Sequence, residues 1–343
     1  MSKTHSELLS LIDSYQEALE YWTKCLEPSS KELSQIKAAK VDDPLEELSK
    51  LSKLIKAHTT KVGIIFKPET LKNQNDAAFS TLSKLSETII LIVSIIPQLD
   101  SKKLSQIYQD ELVNVLRSII HANVNLAKEL RNLSSEDSNE NESNDRLISV
   151  GQIWSSCDEL SLLIQKAPLG YLSDKTKQTI SLIEDGLEEF EEWAENPEDF
   201  DDEDPFGFSD DESDDEEETP ADSKDEEDEP KDKSKLIEYS KKWLSKIKLI
   251  KLLLKSLAKS LPSSTPGTQI DNIYQVERQL VKSVDQIIVD LMLDQQVDEE
   301  TEEYATQIDK ACAKIVKIVK QANSNESKIK WCNDWHSKYN EYI

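Results

Sequence analysis

The chain has 343 residues, 37% of them hydrophobic, and a formal net charge of −27. That length admits one to three domains with a sizeable core. The charge is concentrated: Glu188–Glu229 holds 25 acidic residues and one Lys, so the remainder, at about −3, is close to neutral and direct nucleic-acid binding is disfavoured.

Helical periodicity begins at once. Leu8, Ile12, Tyr15, Leu19, Trp22 and Leu26 recur at alternating four and three spacing, which places one apolar stripe on a helix. Asp43 before Pro44 is a helix start, the carboxylate free to cap and the proline preset for the first turn. Leu48, Leu51, Ile55, His58, Val62 and Ile65 continue a stripe. Pro68 opens the next helix, through Phe79, Leu82, Leu85, Ile89 and Ile92. Its end is apolar all round, which predicts a central place in a bundle. The run Ile89–Ile96 is far short of the roughly 18 residues a membrane span needs. Leu104, Tyr108, Val115, Ile119, Leu126 and Leu133 mark another long helix.

Ser134–Asp145 has no apolar residue and reads as a mobile loop. A helix with Leu147, Val150, Trp154, Cys157 and Ile164 on its stripe follows, stops at "APLGYLSD", and gives way to another through Ile180, Ile183, Leu187 and Phe190. The acidic insert comes next. Its composition cannot bury enough apolar surface to offset chain ordering, so residues 196–233 are expected to be disordered. The helix over Lys231–Lys259 carries ten Lys against Asp232 and Glu238, with Leu236, Trp243, Ile247, Ile250, Leu254, Leu257 and Leu261 on its apolar face. "PSSTPGT" ends it, and three more helical patterns close the chain, near Leu280, Ile315 and Trp335. No alternating strand pattern occurs. The expected architecture is all-α: nine or ten helices in antiparallel bundles of the vinculin-like five-helix type. One bundle spans residues 1–135 and a second spans 145–343, the latter interrupted by the insert.

Catalytic chemistry is poorly provided for. Six Gly never cluster into a phosphate-cradling loop, which excludes Walker and dinucleotide motifs. His5, His58, His121 and His336 stand alone, and His58 reads as a hydrogen-bonded core or interface histidine. The four Cys lack metal-site spacing and read as reduced and structural, which places the chain in the cytosol and nucleus. No N-terminal run resembles a signal peptide. Paired carboxylates abound only where nothing holds them rigid. The expectation is a non-enzyme with no cofactor and no metal.

Binding surfaces remain. Phe200, Phe206 and Phe208 sit among carboxylates, and Asp204, Pro205 and Phe206 match the short motif by which endocytic proteins engage adaptor appendages. With Phe208 they form a candidate docking plug. Ser209 and Ser213 each precede an acidic residue by three positions, the pattern acidophilic kinases of the casein-kinase-2 type prefer. Trp243 on the basic helix is a candidate anchor for a partner, against the alternative of a core helix with a wet basic face. The aromatic stripe of Trp331, Trp335, Tyr339 and Tyr342 reads as core.

The order of these parts resembles a known family. A helical N-terminal region, a Trp-bearing helix "LEEFEEWAE", an acidic segment containing "DPFG" and a Lys-rich helix are similar to the cyclin-D-binding, or GCIP-like, cyclin-D-interacting proteins. The most specific stretch is Glu188–Asp211 plus the helix after it. The resemblance implies an all-α protein without catalytic residues. It also implies binding of D-type cyclins or helix-loop-helix factors, and a role as a regulator of cell-cycle progression in nucleus and cytoplasm. The alternatives are a vinculin-like scaffold or trafficking adaptor using Asp204-Pro205-Phe206, and an acidic chaperone for basic clients.

Overall fold

A computed structural model of the chain describes residues 3–27, 30, 32, 36–71, 74–134, 146–195, 229–295 and 297–342. Among them the regular structure is helical throughout and includes no strand. The chain divides into two compact units, Met1–Tyr171 with Pro266–Thr268, and Leu172–Thr265 with Gln269–Ile343. The division falls at Tyr171, whereas the sequence suggested residues 135–145.

The first unit is built from α1 (His5–Cys25), α2 (Pro44–Ile65), the single turn α3 (Pro68–Leu71), α4 (Asn75–Ile95), the single turn α5 (Ser101–Leu104), α6 (Gln106–Leu133) and the first half of α7 (Arg146–Glu195). Local chemistry starts these helices where the sequence says. Asp43 Oδ1 accepts from the amides of Leu45 and Glu46, both at 3.0 Å, and Pro44 takes the first position. Thr4 and Glu7 form a capping box on α1. The α1 stripe of Leu8, Ile12, Tyr15 and Leu19 is buried against α4 and α6. Tyr15 Oη donates to Asn123 Oδ1 at 2.8 Å, and Asn123 Nδ2 donates to the Ile119 carbonyl, so a buried polar pair between α1 and α6 is satisfied.

Two expectations shift here. On α2 the buried slot after Ile55 is filled by Thr59, and His58 turns half out toward solvent. On α4, Ile90 and Leu91 are exposed, so the apolar end of this helix is not enclosed on all sides. Asn75–Gln98 is also long and apolar enough to cross a membrane by length and composition. The apolar run is longer than Ile89–Ile96 because Ala77, Ala78, Phe79, Leu82 and Leu85 extend it. In this fold Leu82, Leu85, Ile89 and Ile92 are core residues of the first unit.

The expected stop at "APLGYLSD" is a break within α7: Ala167 has φ 55° and ψ 175°, directly before Pro168. Proline disfavours helical geometry in the residue ahead of it, which is why the chain leaves the helix at this point.

The second unit comprises the second half of α7, α8 (Glu229–Ser260), α9 (Gly267–Val289), which ends in a π-helical turn Asp290–Asp294, α10 (Glu299–Ala322) and α11 (Glu326–Asn340). Ile180, Ile183, Leu187 and Phe190 of α7 and Trp243, Ile247, Ile250, Leu254 and Leu257 of α8 are buried as their spacing requires. Gly186 faces α9, where a Cβ would lie in ordinary contact 3.4 Å from Ile288 Cδ1. Lysines of α8 reach back to α7: Lys255 and Lys251 meet Glu184 at 2.9 and 3.3 Å, and Lys248 pairs with Glu191. The basic face of α8 is therefore partly neutralised by helical carboxylates.

Candidate interaction surface

The first half of α7 presents a two-sided helix. Val150, Ile153, Cys157, Leu160 and Leu163 form its buried stripe in the first unit. Polar contacts fix the register. Ser52 Oγ donates to the Cys157 carbonyl at 3.1 Å, Lys56 Nζ meets Asp158 at 2.6 Å, and Tyr108 Oη donates to the Leu163 carbonyl at 3.0 Å. Gly63 of α2 packs next to Val150, where a Cβ would lie in ordinary contact 3.4 Å from Val150 Cγ2.

The opposite side exposes three large apolar side chains among polar ones such as Ser155, Asp158, Glu159 and Lys166. Ile148 is 55% exposed, Trp154 37% and Leu162 58%. Gly151 lies between Ile148 and Trp154 on this side, and a Cβ there would meet no atom within 4 Å. The result is a notch flanked by an aliphatic and an aromatic side chain. Sequence reasoning put Trp154 on the buried stripe. The structure puts Ile153 there instead, one residue earlier, and a shift of one residue turns a side chain by about 100°. The sequence signal that distinguishes the two is the run Val150, Ile153, Cys157, Leu160, Leu163, which keeps three–four spacing throughout.

The candidate residues chosen from sequence are not brought to this face. Asp204, Pro205, Phe206, Phe208, Ser209 and Ser213 lie outside the described residues, as does nearly all of the expected disordered insert. Trp243 is 1% exposed. It belongs to the core of the second unit and is not available at the surface as an anchor, because its ring covers a buried cation. Lys246 Nζ lies 4.2 Å from the Trp243 ring centroid and 4.8 Å from that of Tyr339, and 2.7 Å from Asp309 Oδ1. Tyr339 Oη donates to the same oxygen at 2.7 Å. Trp335 stacks on Tyr339 and donates from Nε1 to the Leu249 carbonyl at 2.9 Å. Desolvation holds the Lys246 ammonium below its ordinary pKa, with Asp309 opposing it. Burial pushes the adjacent Cys312 thiol up to about 12. The cluster ties α8, α10 and α11 together, so Trp335 and Tyr339 of the C-terminal aromatic stripe are core as the spacing implied, while Trp331 and Tyr342 are only half-buried.

His58 is half-buried, with desolvation foremost and then Lys61 and Lys84 keeping its imidazole below the usual range. Its Nδ1 has no partner among the described residues. All four cysteines are free and buried. Among the described residues no group of three His, Cys, Asp or Glu is placed to hold a metal ion.

Fold and surface together define an all-α bundle protein with large apolar side chains exposed on α7. Residues 47–196 match the family model described as "Grap2 and cyclin-D-interacting, N-terminal". The similarity covers the stretch from α2 to the end of α7, less than half of the chain, and agrees with the family resemblance seen in the sequence. The match includes "LEEFEEWAE" and stops before the "DPFG" segment. An uncharacterized protein of Saccharomyces cerevisiae is 25% identical over 354 residues, covering 99% of this chain and 97% of its own. Another, from Schizosaccharomyces pombe, is 22% identical over 303 residues, covering 86% of this chain and 84% of its own.

Proposed function

We propose that this chain is a non-enzymatic interaction protein that regulates cell-cycle progression by binding a cyclin or a helix-loop-helix factor, in cytoplasm and nucleus. The observation that carries the reading is the pair of large apolar side chains exposed on α7, Ile148 and Trp154, on either side of the Gly151 notch, with Leu162 exposed about three turns further along the helix. It lies inside the family-matched stretch. Large apolar side chains grouped on one exposed face mark interaction sites, and Trp is the residue most enriched among interface anchors. The family description supplies the cyclin as partner class, and the helix-loop-helix alternative rests on the resemblance seen in the sequence.

The experiment is affinity capture with the intact chain and with an Ile148→Ser, Trp154→Ser double variant. Ile148 is more than half exposed and Trp154 about one third, so helix content should be retained, and a thermal melt of the variant separates any lost packing from lost binding. Recovery of a cyclin or helix-loop-helix factor by the parent, and its loss from the variant, is the expected outcome. Equal recovery by both chains moves the binding site off α7. Capture of coat adaptors or histones in place of these factors defeats the reading.

A further inference from the structure

In the second unit, α10 with His336 of α11 borders an open groove of about 340 Å³ lined by Ala313, Val316, Lys317, Lys320, Gln321 and His336. No carboxylate is among these residues, although the chain as a whole carries a net charge of −27. Val316 is buried and forms an apolar floor, while Lys317, Lys320 and His336 are exposed along the rim.

Lysines in the last turns of a helix usually complement its macrodipole. That explains Lys317 and Lys320 on α10, but not the way they are held. Lys320 Nζ donates to Asn333 Oδ1 at 2.7 Å, which draws the ammonium across to α11 and away from the carbonyl end of its own helix. His336 comes from that second helix, and Asn340 Nδ2 lies 3.3 Å from its Nε2. Asn333, His336 and Asn340 share one side of α11 at three and four spacing, so two amides position two cationic or cationisable groups. Among the described residues neither Lys317 nor Lys320 makes an ion pair with a carboxylate.

We propose that this groove binds a phosphate monoester. Such a group carries a charge of about −1.5 to −2 at neutral pH and three acceptor oxygens. Two ammonium groups, an imidazole N–H and the Gln321 amide supply donors of matching number and sign. Ala313 and Val316 accept the carbon chain to which the phosphate is attached. The same chemistry is offered by a phosphorylated side chain of a protein and by a small free phosphate.

Calorimetric titration of the full chain at fixed ionic strength tests the proposal and separates the two sources. The probes are inorganic phosphate, a phosphoserine peptide and its unphosphorylated twin. Saturable binding of phosphate or the phosphopeptide, with none of the unphosphorylated peptide, is expected. A Lys317→Gln, Lys320→Gln double variant should weaken it by about tenfold or more, and His336→Gln by a smaller factor. Lys314→Gln, on the same helix but outside the groove, should bind as the parent does. A phosphopeptide that binds more tightly than inorganic phosphate assigns the site to a phosphorylated protein; equal affinities assign it to a free phosphate. Absence of saturable binding by either phosphate probe overturns the proposal, and so does unchanged binding in the double variant. These side chains lie at the surface, so thermal melts of the variants should match the parent.

Discussion

Glu277 shows how far a single side chain can depart from what its sequence position announces. It is fully buried; Thr176 Oγ1 donates to its Oε1 at 2.8 Å, while Oε2 has no partner among the described residues. Burial raises its pKa to about 7, with the Thr176 hydrogen bond opposing. An unfolded Glu titrates near 4.3, so as pH rises from there toward 7 the unfolded chain releases its proton first. The stability of the second unit should therefore fall across that window and level off above it. Glu277→Gln removes the titration, and melts recorded from pH 4.5 to 8 should flatten, with a gain of up to about 3 kcal/mol at the alkaline end. A profile of unchanged slope would mean that Glu277 is solvated in solution. Lys246 and Asp309 form a pair of unequal members. Lys246 is 2% exposed and has two rings and one carboxylate for company, whereas Asp309 is 33% exposed and also accepts from Tyr339. Removing Asp309 strands a buried cation; removing the cation leaves a carboxylate with water and a phenol. Asp309→Ala should cost about 3 kcal/mol and Lys246→Met clearly less. Denaturant melts that rank them the other way contradict this account. Neither site was legible in the sequence, because Glu277 and Lys246 are read as polar until their neighbours from other helices are known.

At the scale of helices the sequence was informative, and its errors were rotational. The Asp43 cap, the Pro44 start and the stripes of α1, α8 and the second half of α7 follow directly from residue type and spacing. His58 for Thr59 and Trp154 for Ile153 are each one residue off, because a large or aromatic side chain beside the true stripe is easily taken for part of it. The break in α7 was legible as well, since Pro168 restricts the residue before it. Ala167 at φ 55° and ψ 175° occupies a region that favours Gly, at a cost on the order of 1–3 kcal/mol for other residues. Glycine's greater freedom in the unfolded chain offsets part of that, so Ala167→Gly should stabilise by about 1 kcal/mol, while Ala167→Val destabilises. A lower melting temperature for the glycine variant would show that the break is relaxed in solution. Gly151 presents the converse case. A glycine inside a helix costs about 0.5–1 kcal/mol relative to alanine, and here no neighbour within 4 Å requires it. Gly151→Ala should raise stability by about that amount and, if α7 is the docking face, weaken partner recovery. A variant that gains stability and keeps full recovery removes the notch from the proposed interface.

For the whole molecule, the all-α class was legible because no stretch alternates as a strand does, whereas the division into units was not. The polar run at 134–145 looked like the boundary, yet the first half of α7 packs with the first unit through Val150, Ile153, Leu160 and Leu163. Polarity marks a loop, and only packing decides which side of a loop a helix joins. The family resemblance has a similar character. Of the residues that carry it, Leu187, Phe190 and Trp193 are buried in the second unit, so that part of the signature reports a core. The second unit is assembled from chain on both sides of residues 196–228. Thr176 meets Glu277, Gly186 faces Ile288, and Glu184 and Glu191 meet lysines of α8. The exposed ion pairs contribute little. Each fully buried Ile, Leu or Phe along α7 contributes roughly 1.5–3 kcal/mol, so Ile180, Ile183, Leu187 and Phe190 together supply about 6–12 kcal/mol, of the order of the cost of holding two separate chains together. A protease site inserted near residue 215 and cut in the folded protein should therefore leave two fragments that co-elute and retain helical circular dichroism. Raising the salt concentration should not separate them, because apolar burial rather than charge holds the pieces. Fragments that part at micromolar concentration without denaturant, or that lose helix together on cutting, would show that the connection through 196–228 is itself required for the second unit to hold.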